Sequence, residues 1–216
     1  RVLGIDEMTG WYTEVERACA RLQPGDVDIV MATGGPFGTF RVAQRLALHL
    51  RCPYVLDYRD LWNGNPHSRG SNQNRSVRRE RRLLKECTAV SVVSPSIALL
   101  LGDRFAVHEK THVISNGYAP DDFKAIQPTA FGHFAIVYAG QFLPPCRTAG
   151  PLMKALRRLA EAELIRPWRF HYYGPQGDHV REASRKHGVE QWVELHGTVP
   201  RREALAAIAS AGVATV

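Results

Sequence analysis

Short apolar runs rich in β-branched residues alternate along this chain with longer segments whose apolar positions recur every three to four residues. The runs at 27–32, 53–58, 89–94, 111–115, 134–139, 168–173, 192–195 and 212–216 read as strands. Between them, 38–50, 76–87, 95–101, 150–163, 178–186 and 201–209 read as helices, with a further one at about 12–21. Strands that are nearly continuous in Val, Ile, Leu and Tyr suit burial on both faces, and strand–helix–strand repetition needs crossover helices. Together these predict doubly wound α/β architecture with parallel sheets.

The alternation breaks once. Residues 116–132 carry two prolines, an Asn-Gly turn and neither period, which marks a boundary. The expected division is residues 1–125 as one Rossmann-like domain, 126–132 as a linker and 133–216 as a second. A crevice facing the carboxyl ends of the strands is the expected ligand site.

Composition leaves this picture intact. The 216 residues are 44% hydrophobic and 23% charged, as in ordinary globular domains, and no tract of low complexity or apolar run of about 18 residues occurs. The four cysteines form no C-x-x-C pair, and no secretory signal pattern is visible, so a reduced, cytoplasmic setting is expected. The first residue is Arg1 and the last, Val216, lies in an apolar run; the expectation is a piece of a longer protein.

Charge changes the picture locally. Of the net +7, five charges belong to 68–86, where Arg69, Arg75, Arg78, Arg79, Arg81, Arg82 and Lys85 face only Glu80 and Glu86. A uniformly basic nucleic-acid binder is not indicated. One basic helix remains, either a solvated face or a surface for anionic lipid with Arg75, Arg78, Arg79, Arg82 and Lys85 as contacts.

Four segments carry candidate chemistry. His108-Glu109-Lys110-Thr111-His112 matches the zinc-protease pattern H-E-x-x-H, which works only where a continuing helix puts both imidazoles on one face. Here His112 opens a β-branched run and only the distant Glu161 offers a third ligand, so a surface turn is the better account and no metal is expected. Thr33-Gly34-Gly35-Pro36-Phe37-Gly38, with Asp57 nineteen residues beyond Gly38, approaches a dinucleotide fingerprint. Thr33 occupies its first glycine position and Pro36 lacks a donor; a tight turn explains it as well. Asp57-Tyr58-Arg59-Asp60 puts three charges where a strand meets a loop, either a functional cluster or local Asp–Arg pairing. Gly140-Gln141 leads through Arg147 to a helix near Gly150. There a glycine admits close approach, Arg147 suits a phosphate, and the helix N-terminus adds N–H donors. No nucleophile elbow or P-loop occurs.

These residues resemble a bacterial family 4 glycosyltransferase of the GT-B fold. The resemblance rests on P-Y-V-L-D-Y-R-D-L-W (53–62), A-V-S-V-V-S-P (89–95), H-V-I-S-N-G-Y-A-P-D-D-F (112–123), I-V-Y-A-G-Q-F (136–142), F-H-Y-Y-G (170–174) and L-H-G-T-V-P-R-R-E-A-L (195–205), in order over nearly the whole chain. It implies two Rossmann-like domains, the first for an acceptor, with Gly34, Gly35 and Pro36 as its loop, and the second for a nucleotide-diphosphate sugar. It implies Gly140, Gln141 and Arg147 at the donor diphosphate, Gly174 at the donor pocket, and Gly197, Thr198 and Val199 at the nucleobase. Arg59, with Asp60 beside it, stands where relatives have a His near the transferred sugar. Gln141 replaces a frequent Arg, and Ala119 a frequent Asp. The family's glycine-rich first loop and its E-x7-E segment are expected outside the chain, both domains are then incomplete, and the chain by itself is expected to be inactive.

The expected activity is transfer of a sugar, with retention, from a nucleotide-diphosphate sugar to a hydroxyl of a glycan or lipid-linked saccharide. No permanently bound cofactor, metal or nucleic acid is implied, and the setting is cytoplasmic, with an anionic membrane surface as a candidate partner. The alternatives are a catalytically silent GT-B-like binding module and, from the 33–57 segment, an NAD-dependent enzyme.

Overall fold

The computed structural model describes residues 9–64, 73–162 and 167–215. These form two compact units that divide between Gly117 and Tyr118, inside the segment where both periods fail. The second unit includes 118–125, which the sequence reading placed with the first domain; Asp122 pairs with Arg201 and Arg202 donates to the Ala125 carbonyl.

In the first unit α1 (Thr9–Cys19) precedes β1 (Val30–Thr33), α2 (Gly38–Leu50), β2 (Tyr54–Tyr58), α3 (Gln73–Glu86), β3 (Ala89–Val92), α4 (Pro95–Phe105) and β4 (Thr111–Val113). The sheet order is β1-β2-β3-β4, every pair parallel. Alternate residues of β2, Tyr54, Leu56 and Tyr58, join Val90, Val92, Phe40, Leu83, Leu84 and Leu101 in one core. The helices start and stop where local chemistry dictates. Ser94 caps α4, accepting from the Ile97 N–H ahead of Pro95, the residue pair favoured at a helix start. The first strand begins at Val30, three residues later than the apolar run suggests, because 27–29 have no partner strand. The fourth ends at Val113, although the Ile114 N–H still donates to the Val92 carbonyl.

The second unit opens with a short helix, α5 (Asp121–Lys124), then β5 (Phe134–Ala139), α6 (Gly150–Glu161), β6 (Trp168–Tyr173), α7 (Gly177–Lys186), β7 (Val193–Gly197), α8 (Arg201–Ala209) and β8 (Val213–Thr215). Its order is β7-β6-β5-β8, again all parallel. The chain winds outward from β5 to β7 and returns to β5's other side. Right-handed crossovers then place α6 and α7 on one face and α8 on the other. The cores agree: Phe170 and Tyr172 pack with Met153, Leu156 and Val180, whereas Ala135, Val137 and Tyr173 pack with Ala207. The order reverses at β5, the topological switch point where doubly wound sheets bind ligands.

One buried acid belongs to the basic helix. Glu80 of α3 is fully buried, accepting from the Tyr58 hydroxyl at 3.2 Å and from Asn63 Nδ2 at 2.7 Å. Arg75, Arg78, Arg82 and Lys85 lie about 140° to 160° around the helix from Glu80, which faces β2. Burial pushes its carboxyl up to about 7, against the pull of the Asn63 and Tyr58 hydrogen bonds and Arg104. The folded state therefore holds the proton more tightly than the unfolded chain. This contribution is fully present below the unfolded value of 4.5 and is lost as pH rises through 7, about 3 kcal/mol in all. His171, lowered to about 4 chiefly by burial, gives the opposite slope, so the informative quantity is a difference. Glu80→Gln, measured by urea unfolding between pH 5 and 8, should gain stability relative to the parent as pH rises; an unchanged difference would refute it.

Candidate functional site

In the second unit the residues assigned to the donor, Arg147 excepted, lie at or just beyond the carboxyl ends of strands. Gly140 follows β5, and its N–H donates to the Tyr173 carbonyl at 3.0 Å. Gly174 follows β6. A Cβ on Gly174 would stand 2.2 Å from the Gly140 carbonyl oxygen and 2.3 Å from the Tyr172 hydroxyl, so only glycine lets the β5 and β6 ends meet there. The Tyr172 hydroxyl lies 3.1 Å from the Gly140 carbonyl and 2.9 Å from Gln176 Oε1. Gln176 Oε1 also accepts from the Phe142 N–H at 3.2 Å. Gln176 thus ties the loop after β5 to the start of α7, a role no sequence signal marked.

That loop is itself ordered. Leu143 and Arg147 exchange backbone hydrogen bonds of 2.8 and 2.9 Å, and the Cys146 N–H donates to the Leu143 carbonyl. The resulting tight turn holds Arg147 three residues before α6, its side chain exposed and in no ion pair with a described residue. Gln141 is exposed, and its carbonyl accepts from Tyr138. At the helix start, the Ala149 N–H is taken by His179 Nε2 at 3.1 Å and Pro151 offers none, so the anion-binding capacity of this N-terminus is smaller than a bare first turn would have. Gly197 closes β7 with φ of +70 and open space where a Cβ would lie. Thr198 beyond it is exposed, while Val199 packs against the buried cluster of Ala135, Val137, Tyr173 and Ala207.

The first unit gathers its polar groups by the same rule. Asp57, at the end of β2, is buried. Its Oδ1 accepts from the Ser91 hydroxyl at 2.7 Å, and Oδ2 from Arg59 Nε at 2.8 Å. Arg59 Nη1 then donates to Asn116 Oδ1 at 2.7 Å. The Asp–Arg contact foreseen in this loop is therefore Asp57–Arg59. Asp60 is exposed and is not Arg59's partner. Asp57 is buried with each oxygen already accepting a hydrogen bond, so it is turned into the unit rather than presented at the strand end as the dinucleotide fingerprint's acidic residue would be. Its glycines have packing reasons instead. A Cβ on Gly34 would enter the Phe37 and Phe40 rings and one on Gly38 the Tyr12 ring, while Gly35 has φ of +87. Pro36 and Thr33 carbonyls both lie within reach of the Thr39 hydroxyl, at 2.8 and 2.9 Å.

The zinc-protease pattern is absent in space. His108, Glu109 and Lys110 form one 3-10 turn and His112 is in β4; His108 instead meets Asp103 at 3.1 Å. Glu161 lies in the other unit, paired with Arg157. On α3, Arg75, Arg78, Arg82 and Lys85 are exposed, Arg79 is half-buried, and Arg82 pairs with Glu86 at 3.0 Å. Arg69 lies outside the described residues. No described helix is long and apolar enough to cross a membrane.

Three solved structures illustrate what the fold is similar to. Anabaena HepE in complex with UDP and glucose matches at TM-score 0.60 and 16% identity, over 94% of this chain and 56% of that one. The sucrose-phosphate synthase of Thermosynechococcus elongatus matches at TM-score 0.62 and 15% identity, over 96% and 53%. The lipopolysaccharide outer core galactosyltransferase WaaB matches at TM-score 0.55 and 15% identity, over 96% and 52%. The chain spans about half the length of these proteins. No curated protein matches it in sequence. The family model for the glycosyl transferase 4-like domain matches residues 3–117, which contain the whole β1–β4 sheet and the Asp57–Arg59 loop. With Rossmann-like units of the GT-B fold on both sides of Gly117, this chain belongs to the glycosyl transferase 4-like family.

Proposed function

We propose that the protein containing this chain transfers a sugar from a nucleotide-diphosphate sugar to a hydroxyl of a glycan or lipid-linked saccharide, with retention at the anomeric carbon. The observation that carries this reading is the convergence at the switch point of the second sheet. There the Gly140 and Gly174 backbones meet, and the turn from Leu143 to Arg147 holds an exposed guanidinium ahead of α6.

In the proposed reaction the bond between the anomeric carbon and the diphosphate oxygen breaks, and the acceptor oxygen bonds to that carbon. Negative charge grows on the leaving diphosphate. Arg147, held by backbone pairing on each side, stabilises that charge more in the transition state than in the ground state, which is what accelerates the step. Gln141, as a neutral donor, adds direction without charge. Gly197, Thr198 and Val199 meet the base with backbone groups, and the open space at Gly197 suits a flat ring. In the first unit, Asp57 and Asn116 fix Arg59, so a sugar hydroxyl meets a guanidinium already oriented, with less rotamer entropy to lose. Asp60 stays a secondary candidate for the acceptor proton. HepE was crystallised with UDP and glucose, which supports UDP-glucose as the first donor to try.

The full-length protein should release UDP, GDP or TDP from a matching sugar nucleotide in the presence of acceptor. Arg147→Ala should lower kcat by about 10² or more, the usual cost of losing one such charge-stabilising group. Activity unaltered by Arg147→Ala would overturn the site, and nucleotide binding without turnover would favour the silent binding module.

We also propose a cytoplasmic, bacterial enzyme docked peripherally on anionic lipid through the basic face of α3. At 100° per residue Arg75, Arg78, Arg79, Arg82 and Lys85 fall within one side of the helix, opposite buried Leu84 and Glu80. Each basic side chain near such a surface contributes about 1 kcal/mol, less for Arg82, which Glu86 already engages. Sedimentation with phosphatidylserine-containing vesicles should show binding that falls steeply with salt and is lost when Arg75, Arg78 and Lys85 are changed together to Ala. Absent or salt-insensitive binding would refute this docking.

A further inference from the structure

The second unit holds a side-chain cluster that sugar transfer does not use. On β6 and β7, His171 and Glu194 are register partners, and His196 lies two residues further along β7 on the same face. By alternation this face is the one opposite Phe170 and Tyr172. His171 Nδ1 stands 3.0 Å from His196 Nε2 and 3.5 Å from Glu194 Oε2, and one ligand atom from each of the three residues lies within 4.8 Å of the others.

We propose that His171 Nδ1, His196 Nε2 and Glu194 Oε2 form a zinc site that ties β6 to β7. Metal–ligand bonds of 2.0–2.1 Å at tetrahedral angles set neighbouring ligand atoms roughly 3.3 Å apart, and the 3.0 and 3.5 Å separations straddle that spacing. Two imidazoles and one carboxylate suit zinc rather than magnesium or calcium, which favour all-oxygen sets. His171 is buried, Glu194 half-buried and His196 exposed, so the open side leaves room for water as a fourth ligand.

The surroundings orient each ligand. His171 Nε2 lies 2.8 Å from His133 Nε2, so with Nδ1 on the metal the Nε2–H donates to His133, the outer partner that fixes a ligating histidine. The His133 and His171 rings are nearly coplanar and meet edge to edge, their centroids 5.1 Å apart, and Tyr173 stacks on His196 at 4.2 Å. Arg169 holds Glu194 Oε1 at 3.3 Å, leaving Oε2 for the ion, though its charge lowers the affinity. Burial also depresses His171 to about 4, keeping the ring neutral and its lone pair available at pH 7. Because Gly174 and Gly197 lie three residues and one residue beyond His171 and His196, the ion would fix the spacing of those two strand ends. Binding can be tested without any sugar-transfer assay.

Chelator-treated 216-residue chain should bind one Zn²⁺, competed by one Co²⁺ that shows tetrahedral visible absorption, and Zn²⁺ should raise its Tm. His196→Gln and Glu194→Gln lie at the solvent edge and should each weaken binding at least about tenfold and abolish the Tm increase. His133→Gln, a change to a positioning residue, should cost about 10- to 100-fold in affinity. His112→Gln, on the other unit, should change nothing. Circular dichroism of the metal-free variants separates lost ligation from lost folding. No stoichiometric binding, binding that survives both His196→Gln and Glu194→Gln in folded protein, or binding that disappears with His112→Gln would overturn the site.

Discussion

All six strand pairs among the described residues are parallel, and most of the structure follows from that. Parallel neighbours need a crossover helix between them, so the chain must alternate strand and helix, and every strand must point the same way. All strand ends of one kind then share one edge of the sheet. Polar residues scattered over many tens of positions, such as Gly140, Gly174 and Gly197, become neighbours without any sequence proximity. In the first unit the same constraint brings Asp57, Ser91 and Asn116 around Arg59.

The two units use that edge differently. In the first, a buried carboxylate organises it: Asp57 is satisfied by Ser91 and Arg59, and a buried acid so bonded is far less costly than a bare one. Its result is a fixed guanidinium. In the second, close backbone approach organises the edge. Gly174 lets β5 and β6 converge, and Tyr172 and Gln176 lock the loop that follows. The β5 loop also lies where the strand order reverses, so helices on opposite faces diverge and leave the strand end open.

Much of this was readable from residue order. The strands at 134–139 and 168–173 and the helices at 38–50 and 201–209 match their observed bounds, because continuous apolar runs and clean periods leave little competition. Boundaries slipped where pairing decides length, as at 27–29 and 114–115, since a strand extends only as far as its neighbour does. The charged segment after β2 was visible as a site, but its pairing was not. Arg59 has acids at 57 and 60, and only the strand pleat, which turns Asp57 inward toward Ser91, selects between them. Glu80 was hidden for a related reason: counted among charges, it belongs to the basic helix, yet helical phase places it in the core.

The sequence by itself determined the class of architecture and the family, because alternation, period and ordered motifs are properties of chain neighbours. Only the tertiary structure decided which polar groups share a hydrogen bond. It set Asp57 rather than Asp60 on Arg59, separated His108 from His112, and joined His133, His171 and His196 edge to edge in one cluster. Those outcomes depend on strand register and on which face a side chain takes. A register shift of one residue would turn Asp57 and His171 to the opposite faces of their sheets.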